Sequence, residues 1–281
     1  LGFFNLGGRI FFPAFDPVIK EVAMLKLDRL TIHYGDFSVA KAVNAQFEAG
    51  NVYTILGVNG AGKSSLLKAI FGAVDFSGNV VYNDKNQRKA QLNAWRKPIA
   101  YMPQDSSTDA DLSTLEVILL GRMDALSRRI SDDLLREAVA VLEELNIAHL
   151  AHRPICALSG GQRQLAMFAQ ALLRRPKILL LDEPVSALDM AHQINLLDKV
   201  RHYTKQHQMI CIMVLHDLSL AAQFSDEVML LADGHITAQG IPHAVLQSEI
   251  LRRVYHVDIE ILTSHQGLPV IHPYRKRLAM A

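Results

Sequence analysis

Three side chains, Lys63, Asp182 and Glu183, carry the chemistry most directly legible in this chain of 281 residues. At 57–64 the residues GVNGAGKS match the pattern G-x-x-x-x-G-K-[ST]. Gly57, Gly60 and Gly62 let the backbone turn so that successive N–H groups point inward at an anion, and a following helix adds positive potential at its N-terminus. Lys63 is suited to neutralise β and γ phosphates, and Ser64 to hold Mg²⁺. Asn59, Ala61 and Ser65 complete the nucleotide-binding candidates around them. Far downstream, the apolar run ILLL at 178–181 delivers Asp182 and Glu183 at the carboxyl end of a strand, where open α/β sheets bind ligands. Adjacent carboxylates can divide the labour: Asp182 in the Mg²⁺ shell, Glu183 polarising a water for attack on a γ-phosphate.

The elements that must position these groups follow from periodicity. LKLDRLTIHY alternates apolar and polar residues from Leu25 to Ile32, the period of a half-buried strand, and a second strand is expected at 38–47. NVYTILG, the glycine loop and SSLLKAIFG then read as strand, loop and helix, with a stop at Gly72. Strands follow at 79–83 and 99–102, the second closed by Pro103. LSTLEVILLGRM and SDDLLREAVAVLEELNI change to helical spacing, so roughly 105–158 is expected to be an inserted helical subdomain. Beyond it, GGQRQLAMFAQALLRR and HQINLLDKVRHYTKQ read as helices between the unalternating strands ILLLD and MICIMVL. Strands of that kind separated by helices predict a parallel sheet covered on both faces. Two closing strands around Asp233 and Gly234 are expected at 226–240, and a helical stretch at 241–256.

Composition sets the outer limits. The chain is 50% hydrophobic and 20% charged, with 29 basic against 28 acidic side chains, which describes an ordered globular protein without a strong global field. Bulk charge therefore gives no reason to expect nucleic acid as a partner. Two cysteines, Cys156 and Cys211, make neither a disulfide framework nor a zinc site. The histidine pairs His149/His152 and His202/His207 lack a third ligand. No uncharged apolar run approaches the roughly 18 residues needed to span a bilayer, so a membrane role requires a partner. Residues 1–23 hold five of the eleven Phe and show no clean period; the expectation is that the functional domain starts near Met24, behind a leader.

LSGGQ at 158–162 lies about 20 residues before LLLDEP at 179–184, and together with Tyr34, Gln104, SALD at 186–189 and His216 it resembles the ABC-type ATPases over roughly 24–240. The resemblance implies a P-loop NTPase fold, α/β with a mostly parallel core sheet, an antiparallel β subdomain and the inserted helices. The ATPase domain would occupy 24–262 and a tail 263–281. It also implies ATP and Mg²⁺ as ligands. In that family Tyr34 would stack on adenine, and Gln104 would sense the γ-phosphate, the attacking water or Mg²⁺. His216 would bond the γ-phosphate, and Asp189 would organise a dimer junction. Ser159, Gly160, Gly161 and Gln162 would close over the nucleotide in the loop of a second, head-to-tail subunit.

VILLGRM at 117–123, LDMAHQINLL at 188–197 and the tail ILRRVYHVDIEI at 250–261 further resemble importers of iron chelates, haem and vitamin B12. That implies a homodimer with two transmembrane permease subunits and, indirectly, a substrate-binding protein, at the cytoplasmic face of the inner membrane. Val185 departs from the family's usual Thr after DEP. The alternatives are a soluble ABC ATPase acting on nucleic acid or protein assembly, and a nucleotide-binding regulator that does not hydrolyse. Glu183 and His216 speak against the second.

Overall fold

The computed structural model describes residues 23–104, 111–125 and 130–274. Residues 1–22 of the expected leader (1–23), the first residues of the expected helical insert and the basic run Arg275, Lys276 and Arg277 lie outside them. The chain opens with an antiparallel ribbon, β1 (Met24–Tyr34) and β2 (Phe37–Glu48), and then β3 (Val52–Leu56). Helix α1 (Lys63–Phe71) ends where Gly72 turns left-handed and its N–H caps the Ala69 carbonyl. There follow β4 (Ser77–Tyr82), β5 (Lys85–Asn86), α2 (Leu92–Arg96) and β6 (Ile99–Met102). Three helices come next: α3 (Thr114–Leu119), α4 (Asp132–Glu144) and α5 (Gly160–Leu173). The second half alternates β7 (Ile178–Asp182), α6 (Met190–His207), β8 (Ile210–Val214), α7 (Leu218–Phe224) and β9 (Glu227–Ala232). It closes with β10 (His235–Gly240), α8 (Pro242–Val245), α9 (Ser248–Tyr255), β11 (Asp258–Thr263) and β12 (Pro269–Tyr274).

The central sheet has the order β10-β9-β3-β8-β7-β6, parallel throughout except for β10. β3, β7 and β8 are buried at every position, as unalternating apolar runs require when both faces are covered. Their side chains divide by parity. Tyr53, Ile55, Ile178, Leu180, Ile210 and Ile212 join a core with α1 and the antiparallel sheet β2-β1-β4-β5. Leu179, Leu181, Cys211 and Met213 point the other way, into a core that runs through α5, α6 and α7 and on to α3 and α4. The inserted helices thus share one apolar core with the sheet, joined through α5.

Three stretches differ from the sequence expectation. The helical run over 114–123 stops at Leu119, passes through a tight 3₁₀ segment and leaves helical geometry at Arg122. At Gly121 the backbone lies so close to α5 that an added Cβ would sit 2.3 Å from the Gln170 carbonyl oxygen, and periodicity does not register such an approach. The expected helix over 241–256 is two helices, broken at Leu246 and extended again at Gln247. Finally, β11 and β12 form a hairpin that runs across residue 262; Ile259 is buried, and Ile261 and Ile271 pack against the core.

Candidate functional site

Because β3, β6, β7, β8 and β9 are parallel, their carboxyl ends share one edge of the sheet. β3 leads into the 57–62 loop and β6 into Gln104; β7 ends at Asp182 and Glu183, and β8 leads to His216. The sequence separates these groups by up to 159 residues, and the sheet removes that distance.

The loop is held against its neighbours by glycine. Gly57 has φ 149 and passes so close to β9 that an added Cβ would lie 2.2 Å from the Leu231 carbonyl oxygen. Gly62 has φ 98, with a Cβ position 2.4 Å from the Val39 carbonyl oxygen. Gly60 has φ 80 but open space around it. Alanine at the two kinds of position should therefore behave differently. Gly60→Ala meets only the left-handed backbone penalty, about 1–2 kcal/mol. Gly57→Ala adds a collision with backbone that cannot step aside. Thermal unfolding of both variants should give a clearly lower Tm for Gly57→Ala, with Gly60→Ala between it and the parent.

Lys63 is buried and donates to the Gly57 and Val58 carbonyls at 2.8 and 3.0 Å. Burial pulls its ammonium below the ordinary lysine value, and the charges of Glu183 and then Asp182 work against that shift. Ser64 donates its hydroxyl to Asp182 Oδ1 at 2.8 Å, and the Tyr101 hydroxyl reaches Asp182 Oδ2 at 3.3 Å. Burial pushes the Asp182 carboxyl above the usual carboxylate range, against the pull of these two hydrogen bonds. This part of the site is thus built from one desolvated cation and one desolvated carboxylate, both engaged in hydrogen bonds.

Glu183 sits in the left-handed region, φ 52, at the step out of β7, and its N–H donates to the Val214 carbonyl of β8 at 3.2 Å. A non-glycine residue held there carries strain of about 1–3 kcal/mol, which persists where the surroundings fix it. Its carboxylate is bracketed. Gln104 Nε2 donates to Oε2 at 2.8 Å, and His216 Nε2 lies 2.5 Å from Oε1. Asp217, directly after His216, caps α7 by accepting from the N–H groups of Ser219 and Leu220 at 2.7 and 2.9 Å. Tyr34 stands at the rim, half exposed, where its hydroxyl accepts from Ser65 at 3.4 Å.

The SGGQ segment is the N-terminus of α5. Ser159 Oγ accepts from the Gln162 N–H, and Gln162 Oε1 accepts from the Ser159 N–H, both at 3.2 Å, a reciprocal capping box. Gly160 and Gly161 lie against Ala187 and Leu188; a Cβ on Gly161 would be 2.7 Å from Leu188 Cδ2. Asp189 caps α6 by accepting from the His192 N–H at 3.0 Å. Among the described residues, none of the hydrogen bonds of Ser159, Gln162 or Asp189 reaches the 57–65 loop. The structure therefore gathers Lys63, Ser64, Gln104, Asp182, Glu183 and His216 at one edge, with Tyr34 at its rim. It keeps the 159–162 segment and Asp189 on other helix starts. Tyr101 was passed over in the sequence as part of an apolar strand; a phenol in such a run, whose hydroxyl needs a partner once buried, was its one signal.

Comparison with known proteins bears on the family and the fold. The family model described as ABC transporter matches residues 40–186. The iron(3+)-hydroxamate import ATP-binding protein FhuC of Bacillus subtilis (strain 168) is 36% identical over 242 residues, 85% of this chain and 90% of that protein. The chain belongs to the ABC transporter family. The hemin import ATP-binding protein HmuV of Vibrio vulnificus (strain CMCP6) is 35% identical, over 91% of this ABC protein and 99% of its relative. Among solved structures, a chain assigned to a metal-chelate type ABC transporter in an inward-facing conformation superposes with a TM-score of 0.78 at 26% identity, covering 90% of this chain and 98% of that one. The fold is that of an ABC ATPase, and ATP hydrolysis is the activity that goes with it.

Proposed function

We propose that this ABC ATPase powers an importer for an iron chelate or haem, by ATP-driven closure of two copies arranged head to tail. The observation that carries the catalytic part is the Glu183 carboxylate, nearly buried and held between Gln104 and His216 at the ends of three neighbouring strands. An ionised carboxylate offers about four lone-pair sites. Two are engaged here, so Glu183 keeps acceptor capacity for the proton of an attacking water while its neighbours fix its direction. In this reading His216 and Gln104 bond the γ-phosphate and that water, Lys63 neutralises phosphate charge, and the Tyr34 ring takes adenine.

The donor set around Ser64 fits Mg²⁺. Hard oxygen ligands are what this ion requires, and the Ser64 hydroxyl and the buried Asp182 carboxylate already meet at 2.8 Å. Ser64, Asp182 and, through its amide oxygen, Gln104 are the residues assigned to it. Bound there, the ion would neutralise charge on the β and γ phosphate oxygens.

The outward cap at Ser159–Gln162, with free N–H groups at the start of a helix, supports its assignment to the nucleotide of the opposing copy. Asp189 would stand at the junction between copies. Among the described residues no helix is long and apolar enough to cross a membrane. Two permease subunits would therefore form the pore and hold this subunit at the cytoplasmic face of the inner membrane, with a substrate-binding protein delivering the solute. The iron-chelate or haem assignment rests on the relatives named for hydroxamate and hemin import.

Proteoliposomes carrying the cognate permease pair, this subunit and the binding protein provide the test. The expected result is ATP-dependent uptake of either a radiolabelled ferric hydroxamate or hemin, lost in parallel with turnover in Glu183→Gln. Uptake of neither by an actively hydrolysing complex would overturn the assignment.

A further inference from the structure

We propose that Tyr101 is the positioning residue for the Asp182 carboxylate, and that through it the metal-binding carboxylate is fixed from β6 as well as from the nucleotide loop. This rests on the reading that Asp182 holds Mg²⁺. The geometry is a two-sided clamp: Ser64 donates to Oδ1 at 2.8 Å and Tyr101 reaches Oδ2 at 3.3 Å. Asp182 is the buried last residue of β7, and each of its two oxygens is engaged by a different element.

Tyr101 reaches it from the adjacent strand, where it is paired with Leu180 in a parallel register. Its ring is itself held, tilted against Phe71 at the end of α1 with centroids 5.3 Å apart. The ring packs with Phe71 against the core on the α1 side of the sheet, and its hydroxyl is directed at Asp182 Oδ2. Ser64 engages only Oδ1, so the hold on Oδ2 falls to Tyr101.

Tyr101→Phe keeps the ring and its contact with Phe71 and deletes only the hydroxyl. The readout is the affinity for the fluorescent nucleotide mant-ATP, measured first in EDTA and then in Mg²⁺, with Tm as a control. Loss of an outer partner of a metal ligand weakens metal affinity about 10–100-fold. At 3.3 Å the lower end is expected, so the Mg²⁺-dependent gain in mant-ATP affinity should shrink about tenfold while the affinity in EDTA stays within about twofold. Asp182→Asn, run in parallel, should abolish the gain altogether. A full Mg²⁺ gain in Tyr101→Phe beside its loss in Asp182→Asn overturns the role of Tyr101 alone, as does an equal loss with and without Mg²⁺, which marks a merely structural part. A full gain in Asp182→Asn overturns the metal assignment itself, and this proposal with it.

Discussion

Glu183→Gln is expected to lower steady-state ATP turnover by about 10²–10⁴-fold, the range typical of removing a positioned general base. The substitution preserves volume and leaves one carbonyl oxygen as acceptor. Either Gln104 or His216 can keep its present bond, and the backbone bond from the residue 183 N–H to Val214 is untouched. The fold and the loop at 57–64 should therefore survive, and ATP binding with them. What is lost is basicity: an amide cannot accept the water's proton. If closure of two copies precedes hydrolysis and reopening follows it, the variant should accumulate as a dimer in MgATP, visible by gel filtration with light scattering. Turnover within about threefold of the parent would remove Glu183 from the role of base. A monomer that binds MgATP without turnover would separate the chemistry from the dimer and overturn only the closure.

How much of this site was legible in the sequence depends on which force positions each residue. Lys63, Ser64, Asp182 and Glu183 were readable because local rules place them. A glycine pattern between strand and helix fixes the first pair, and a fully apolar run leading to a strand end fixes the second. The parity of β3, β7 and β8 likewise follows from burial on both faces. Gln104, His216 and Tyr34 came only from resemblance, since nothing local distinguishes them from surface residues. What no local pattern carries is tertiary approach. The strand order that brings β6 beside β7 puts Tyr101 on Asp182, and Gly121 meets α5 just after α3 ends at Leu119. The hairpin β11–β12 escaped notice because its inward residues Ile259, Ile261 and Ile271 are interleaved with turn-like and charged ones, and its apolar face becomes apparent only against α7 and α9.

Lys63→Met should weaken nucleotide affinity by about 30- to 5,000-fold, corresponding to the ~2–5 kcal/mol range for truncating one partner of a buried charge pair. The same variant should show, without nucleotide or metal, what this lysine does to the fold. Its ammonium is buried, and burial lowers its proton affinity in the native state relative to the ordinary value of 10.5. As pH rises through the lowered native value toward 10.5, the native lysine is already neutral while the unfolded one still binds its proton. The unfolded state binds more protons there, so stability gains a positive slope with pH from this group. Below that window both states are protonated and the contribution is flat. Urea denaturation at neutral and at alkaline pH should therefore show the parent gaining on Lys63→Met as pH approaches 10.5; other titrating groups are common to both proteins and cancel. A constant difference across that range would mean that the carbonyls of Gly57 and Val58 already compensate the burial in full. The two effects have one origin. Loop carbonyls and distant carboxylates only partly replace the water this ammonium has lost, and a charge left short of partners in a low-dielectric cleft interacts more strongly with an arriving triphosphate than an exposed lysine can.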